Sequence, residues 1–485
     1  MSGDALATTT SLCPTCLERC PGHYERRSGS VYLTRECPDH GTASRKVWGS
    51  VEHWNWAGEL GPEFTSEIGA DEPLSVDNDH ACLAVVEVTT DCNLSCSFCF
   101  ASSGPGGDHL PREAVRDRLR TVKAGGGPRP VQFSGGEPTV RDDLPELVAD
   151  AREMGFDHVQ VNTNGIRLAE EDDYAQTLAD AGVTAIYLQF DGLSADTHEA
   201  IREVDLTGTK TAALEACRDA GLSVVLVPTV VPDVNDDEMD EIVEFALEHV
   251  DVIESVNFQP VAHMGRYEEH DGRYALDDAA RALASQVDAL APRDLLPIPC
   301  CSSYCQMATV LQPADGDDSD PLPLTGLIDD EAFASLSGVV DEADWMELLA
   351  NTKTGGSRAC SAAGCCGLDL PDGSEALLDS VLPISLTGFM DADAADVERL
   401  DNCCISVPTA DGDLVPFCAY NMTTDDGDYA LRNRNDWGGR TAVDAPLPEP
   451  PDASEQAREP PAETDGGREG SASECGPDCC GGEGR

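Results

Sequence analysis

Cys92-Asn-Leu-Ser-Cys96-Ser-Phe-Cys99 follows directly on the apolar run Leu83-Ala-Val-Val-Glu-Val88. Three cysteines at the spacing C-x3-C-x2-C make a tight loop in which three sulfurs can point inward. Thiolates are the soft ligands that hold iron–sulfur clusters. No fourth cysteine lies nearby in sequence, so a four-iron cluster bound here would keep one iron open. Taken alone, the triplet also reads as a structural zinc knuckle.

The surroundings of the loop decide the fold. From Cys82 to about residue 250, short apolar runs alternate with helix-like segments. Strands are predicted at Leu83–Val88, Val131–Phe133, His158–Asn162, Ala185–Phe190, Ser223–Val230 and Ser255–Gln259. Their apolar character suits parallel strands covered on both faces. Helices are predicted between them, several with apolar residues at i, i+3 and i+4. Six such repeats predict an α/β fold, a partial parallel (β/α)6 barrel over residues 81–290. Pro228 inside the fifth run predicts a bulge or an edge. In parallel α/β architectures ligands gather at the carboxyl ends of the strands. The cluster loop follows the first strand, and Ser134-Gly135-Gly136-Glu137-Pro138 follows the second. Asn162-Thr-Asn164-Gly165 follows the third, and Gln189-Phe-Asp191-Gly192 ends the fourth. Each is a common turn by itself; four in register behind the cysteine triplet form a site.

This constellation resembles the radical S-adenosylmethionine (radical SAM) superfamily over roughly Ala81 to Val261. The resemblance implies that Cys92, Cys96 and Cys99 ligate a [4Fe-4S] cluster whose open iron chelates the methionyl group of S-adenosylmethionine. It implies that Phe98 packs near the adenine and that Gly135, Gly136 and Glu137 meet the methionyl amino group. Asn164 and Gln189 would contact ribose or methionyl atoms. One electron, from a low-potential donor such as ferredoxin, would cleave the cofactor to a 5′-deoxyadenosyl radical.

Twenty-one cysteines in 485 residues, clustered along the chain, point to metal rather than disulfides. The first group, Cys13-Pro-Thr-Cys16 and Cys37-Pro-Asp-His40, reads as two knuckles joined by a hairpin over Arg27–Thr34. It predicts a mononuclear zinc or rubredoxin-like iron site in a metal domain and linker over residues 1–80. The fourth ligand is either Cys20 or His40. A cysteine-rich region over residues 291–440 carries Cys300, Cys301, Cys305, Cys360, Cys365, Cys366, Cys403, Cys404 and Cys418. These nine thiols predict auxiliary iron–sulfur clusters, two if each takes four cysteines, with structural zinc as the rival. Cys82 and Cys217 stand apart and read as small buried hydrophobes. Residues 441–485 are rich in Pro, Glu and Gly, which predicts disorder.

Phe389-Met-Asp391, Cys403-Cys404 and Asp411-Gly412 through Asn421, with the N-terminal knuckles, are similar to the archaeal tetraether lipid synthase group. That group is also described as 7,8-dihydro-6-hydroxymethylpterin dimethyltransferase-like. The chain departs from it at Ser406, where the pattern has histidine. The resemblance implies joining of isoprenoid lipid chains by carbon–carbon bond formation, for which a long apolar tunnel is needed. The alternative is methylation of a pterin, and an alternative of another class is a metal-rich scaffold or electron carrier.

The charge balance excludes some partners. Asp and Glu number 91 against 31 Lys and Arg, a net charge of −60. Phosphate contacts need clustered cations, so nucleic acid is not an expected partner. Acidity along the whole chain suits a salt-rich cytoplasm, as in a halophilic archaeon, where a Debye length of about 3 Å at molar salt screens the repulsion. No secretory signal or membrane span is visible, which predicts a cytoplasmic protein. A lipid substrate would add peripheral membrane contact, although no basic amphipathic helix marks it.

Overall fold

The computed structural model describes residues 4–60, 82–267, 273–298, 302–313, 321–327, 381–429 and 431–432. The chain starts as an antiparallel meander of β1 (Asp4–Leu12), β2 (Arg19–Arg27), β3 (Ser30–Cys37) and β4 (Gly41–Trp48). Ser28 and Gly29 connect β2 to β3 with φ of 53° and 89°. Two positive φ values in a two-residue loop match the right-handed twist of the flanking strands. The turn therefore falls within the hairpin expected over Arg27–Thr34. Helix α1 (Val51–Leu60) follows, burying Trp54 and Trp56.

The second sheet begins with β5 (Leu83–Thr89), β6 (Val131–Gly135), β7 (Val159–Thr163), β8 (Ala185–Gln189), β9 (Ser223–Val227), β10 (Thr229–Val230) and β11 (Ile253–Pro260). Between these strands run α2 (Arg112–Ala124), α3 (Leu144–Glu153), α4 (Ile166–Glu170), α5 (Tyr174–Ala181), α6 (Ala195–Arg202), α7 (Thr207–Ala220) and α8 (Met239–Glu248). The six predicted repeats are all present. Pro228 ends β9: beyond it the chain resumes as β10 and pairs only with β11, and the Gln259 amide donates to the Pro228 carbonyl at 2.8 Å.

After α9 (Leu276–Gln286) come β12 (Leu296–Pro297), β13 (Gln306–Gln312), β14 (Leu322–Pro323), β15 (Leu382–Thr387), β16 (Ile405–Pro408) and β17 (Leu414–Pro416). The strand order is β12-β13-β15-β11-β9-β8-β7-β6-β5-β16-β17, and every pairing from β15 to β16 is parallel. Two strands from beyond residue 380 thus widen the parallel run at both edges. The sheet curls far enough for its ends to meet. Ile298 and Ala308 pack with Cys404, against Cys82, Cys305 and Ile405.

The strands are largely buried on both faces, as expected, but they are not uniformly apolar. Val131, Phe133, Val159, Val161, Ile186, Leu188, Val256, Phe258, Ile384 and Leu386 join the helices in the main core. The intervening residues are Gln132, Ser134, Gln160, Asn162, Tyr187, Gln189, Asn257, Gln259, Ser385 and Thr387. With period two, those side chains line the inside of the curled sheet. Helices cover only the outer face, so only that face has to be oily. The β5 side of the interior is filled differently, by Leu83, Val85, Met264, Met390, Val407 and Phe417. Among the described residues no helix is long and apolar enough to cross a membrane.

The N-terminal sheet is fastened to this body. Asp393 accepts from Arg35 Nη2 and Arg45 Nε at 3.1 Å each, and Ser11 Oγ donates to Ala395 O at 2.6 Å. Trp54 stacks on Tyr304 with ring centroids 3.8 Å apart and planes within 10°, and Trp48 meets both edge-on. Trp54→Ala should therefore lower unfolding stability by about 3–5 kcal/mol. Urea unfolding checks this, and loss of the ribbon alone would appear as a separate early transition.

Candidate metal and cofactor site

The loop from Cys92 to Cys99 sits at the carboxyl end of β5 and lines a cavity. The same cavity is lined by Phe98, Gly135, Gly136, Glu137, Asn164 and Gln189. The structure therefore brings together all nine residues expected for the cluster and cofactor.

Glycine is required where the second strand meets the loop. Gly135 has φ 128°, and a Cβ there would lie 2.1 Å from the Thr89 carbonyl oxygen. A Cβ on Gly136 would lie 2.1 Å from the Asp91 carbonyl oxygen. This closeness lets Gly136 N donate to Thr89 O and Glu137 N to Asp91 O, each at 2.8 Å. The Gly-Gly-Glu segment thus clamps the start of the cysteine loop. Glu137 is 2% exposed, and its Oε1 accepts from Thr139 N, Thr139 Oγ1 and Thr163 Oγ1 at 2.7–3.0 Å. Its Oε2 accepts from Asn164 N at 2.7 Å. Burial raises the carboxyl's pKa, against the pull of those donors.

Three residues at the site carry no motif and escaped the sequence reading, Arg202, Lys210 and Arg266, while Asp191 stands in the quoted Gln189-Phe-Asp191-Gly192 turn without a role assigned to it. Arg202 is the last residue of α6, a position usually explained by the helix dipole. Its Nε and Nη2 donate to both oxygens of Asp191 at 2.7 and 2.8 Å, and its Nη2 also reaches Thr229 Oγ1 at 2.9 Å. The guanidinium also lies against the Cys96 thiol. Burial opposes both charges, yet each outweighs it for the other: Asp191 is held low and Arg202 high. Burial raises the Cys96 thiol, and Arg202 opposes the rise. Arg266 closes the other end of the loop. Its backbone exchanges two hydrogen bonds with Cys99 at 2.8 and 2.9 Å, and its Nε donates to Cys96 O at 2.6 Å. Lys210 is 1% exposed and donates to Asn164 O at 2.6 Å and Gln189 Oε1 at 2.9 Å. A lysine on the buried face of α7 in so acidic a chain was the available signal.

The donor set fits a cluster better than one ion. Sulfurs on a single tetrahedral ion with bonds of about 2.3 Å cannot stand farther apart than about 4.6 Å. Among the described residues, the ligand atoms that all lie within 4.8 Å of one another are those of Cys13, Cys16, Cys37 and His40. The three loop thiols do not form so tight a group. Glu137 Oε2, with one described donor, keeps acceptor capacity at the cavity for a cationic amino group.

In the ribbon it is His40, not Cys20, whose ligand atom groups with those of Cys13, Cys16 and Cys37. His40 Nδ1 lies 3.7 Å from Cys13 Sγ and 3.5 Å from Cys37 Sγ, while Cys16 and Cys37 sulfurs are 4.0 Å apart. Cys20 packs beside them but outside the group. Burial holds the Cys16 thiol up at about 11, and the backbone N–H groups of Cys16 and Thr15 outweigh burial at Cys13 and lower it.

The C-terminal cysteines divide. Cys404 and Cys305 share one small apolar cluster with Cys82, whose amide donates to Cys404 O at 2.7 Å. Arg399 Nη2 donates to Cys305 Sγ at 3.1 Å, and Cys403 Sγ to Ile405 O at 3.3 Å. Cys418 belongs to a different core and accepts from Met390 N at 3.4 Å. Ser406 is buried on β16 with its hydroxyl unpartnered among the described residues. Cys300, Cys301, Cys360, Cys365 and Cys366, and the tail over 441–485, lie outside the described residues.

Residues 86–246 match the family model of the radical SAM superfamily, and residues 5–49 match the HMPTM N-terminal zinc ribbon domain. A 7,8-dihydro-6-hydroxymethylpterin dimethyltransferase of Methanocaldococcus jannaschii is 33% identical over 472 residues, covering 85% of this chain and 93% of the relative. A GTP 3′,8-cyclase of Acidothermus cellulolyticus is 28% identical over 221 residues, 43% of this chain and 60% of that one. Among solved structures, Streptococcus suis SuiB bound to precursor peptide SuiA aligns with a TM-score of 0.37 at 15% identity, covering 57% of this chain and 69% of that one.

Two measurements test the site. His40→Ala should remove the ribbon's metal while Cys20→Ala keeps it, as read by metal analysis per chain. Burial pushes the Lys210 ammonium down to about 7, against about 10.4 in an unfolded chain. Between those values the unfolded chain holds the proton and the folded chain does not. Stability contributed by this group therefore rises from about pH 7 to about pH 10. Lys210→Met should flatten that rise in denaturant unfolding of the metal-free protein.

Proposed function

We propose, from the premise that the chain belongs to the radical SAM superfamily, that it is a transferase methylating a small neutral heterocycle of the pterin class. The observation that carries this reading is the similarity to the pterin dimethyltransferase through ribbon and barrel alike, 85% of this chain and 93% of the relative. The inner surface supports it: the amides and hydroxyls of β6, β7, β8, β11 and β15 are a poor wall for an apolar tunnel. Joining of lipid chains is the second reading, favoured by Phe100, Phe389, Phe417 and Met264, which also line the cavity.

Cys92, Cys96 and Cys99 would hold the cluster, and Glu137, Asn164 and Gln189 the cofactor. When bound, the cluster and S-adenosylmethionine supply a one-electron cleavage that yields a radical able to take hydrogen from carbon. The chain's own part is positional. Gly135 and Gly136 bring the loop against the strand ends, Arg202 places a cation beside the Cys96 sulfur, and Phe98 packs among Ile201, Val231 and Val261 on the loop's apolar side. Cys305, Cys403, Cys404 and Cys418 would serve accessory clusters, and the electron would come from a low-potential donor such as ferredoxin.

The test is anaerobic reconstitution in high salt with S-adenosylmethionine and reductant. Added 7,8-dihydro-6-hydroxymethylpterin should gain methyl groups and stimulate release of 5′-deoxyadenosine, and Cys96→Ala should abolish release. Stimulation by a diether lipid instead, with chains joined end to end, would move the assignment to the second reading.

A further inference from the structure

We propose that Gln259 and Asn162 read the substrate, each offering a carbonyl oxygen to an N–H donor of an uncharged flat heterocycle that rests against Phe389 and Phe417. The inference deepens the pterin reading and rests on it.

Both amides line the cavity that holds the cysteine loop, and both are only partly buried. Each has its nitrogen committed to the barrel. Gln259 Nε2 donates to Asn257 Oδ1 at 3.2 Å and to Tyr187 OH at 3.4 Å. Asn257 is in turn fixed by Ser385 Oγ at 2.8 Å and Thr387 Oγ1 at 3.1 Å, and Gln306 braces Thr387 at 3.2 Å. Asn162 Nδ2 donates to Ser134 Oγ at 3.3 Å. A buried second row of amides and hydroxyls thus orients the front row. The oxygens of Gln259 and Asn162 are left without a protein donor among the described residues.

The neutrality of the substrate follows from the charges around it. Glu137 accepts four hydrogen bonds, Arg202 is spent on Asp191 and Thr229, and Arg266 on Cys96 O and Ser103 O. Neither guanidinium is free to take a phosphate or a carboxylate, which a bidentate guanidinium would otherwise favour. Phe389 and Phe417, which line the same cavity, have centroids 5.1 Å apart, and Phe100 lies 5.4 Å from Phe417. The lining of the cavity therefore offers both hydrogen-bond acceptors and ring faces. A site built this way discriminates against a ligand without the matching donors, because its own polar atoms are then left unpaired.

The experiment uses the reconstituted full chain with 7,8-dihydro-6-hydroxymethylpterin as probe. Gln259→Leu and Asn162→Leu are assayed in parallel, so that one misfolded variant leaves the other to decide. Each folded variant, with iron content equal to wild type, should show a pterin KM raised about three- to tenfold. The KM for S-adenosylmethionine should stay within about twofold. An unchanged pterin KM in both variants, with wild-type turnover intact, would overturn the inference and leave the pterin reading standing. An equal rise in the KM for S-adenosylmethionine would assign the residues to the cofactor and overturn it too. A wild-type protein that does not act on the pterin at all would remove both.

Discussion

A buried ion pair governs this molecule. Asp191 is fully buried at the end of β8, and Arg202 closes α6 behind it. Between them they gather Thr229 from β10, the Phe98 carbonyl and the Cys96 thiol. Removing one partner of a buried pair typically costs about 3–5 kcal/mol, because the other charge is stranded. Here the loss would also remove one of several holds on the cysteine loop. Lying inside, the pair is screened far less by salt than the acidic surface is.

The loop is gripped from other sides as well. Gly135 and Gly136 hold its start, and Arg266 its end. A third hold comes from the chain's later residues. Arg432 pairs with Glu87 on β5, Tyr420 OH donates to the same carboxylate at 2.7 Å, and Tyr429 OH donates to Phe100 O at 2.6 Å. A catalytic cavity assembled from the two ends of the fold opens only if several contacts fail together. That rigidity suits chemistry in which water and stray motion would quench a reactive intermediate.

The interior of the sheet divides by chemistry. Amides and hydroxyls occupy the β6 to β15 side, while Met264, Met390, Phe417 and their neighbours fill the β5 side. A cavity between such walls is shaped for a ligand with one polar edge and two apolar faces. The Trp54–Tyr304 stack fastens α1 beside the start of β13, and the Asp393 ion pairs fasten the ribbon to the segment after β15.

Much of this was legible in the sequence, because local rules govern it. Cysteine spacing gave the loop and the ribbon, alternation of apolar runs gave the six parallel repeats, and Pro228 marked the break in the fifth strand. The turns at Gly135, Asn164 and Gln189 fell where strands end. Other features depend on contacts between residues far apart in the chain. The choice of His40 over Cys20 required the ribbon's fold in three dimensions. Arg202 and Lys210 looked like ordinary helix residues until the sheet curled and buried them. The polar lining went unread because strands covered outside and hollow inside resemble, in sequence, strands covered on both faces. Spacing along a chain fixes which groups can bind a metal; only the curvature of the sheet fixes which of them face the same cavity.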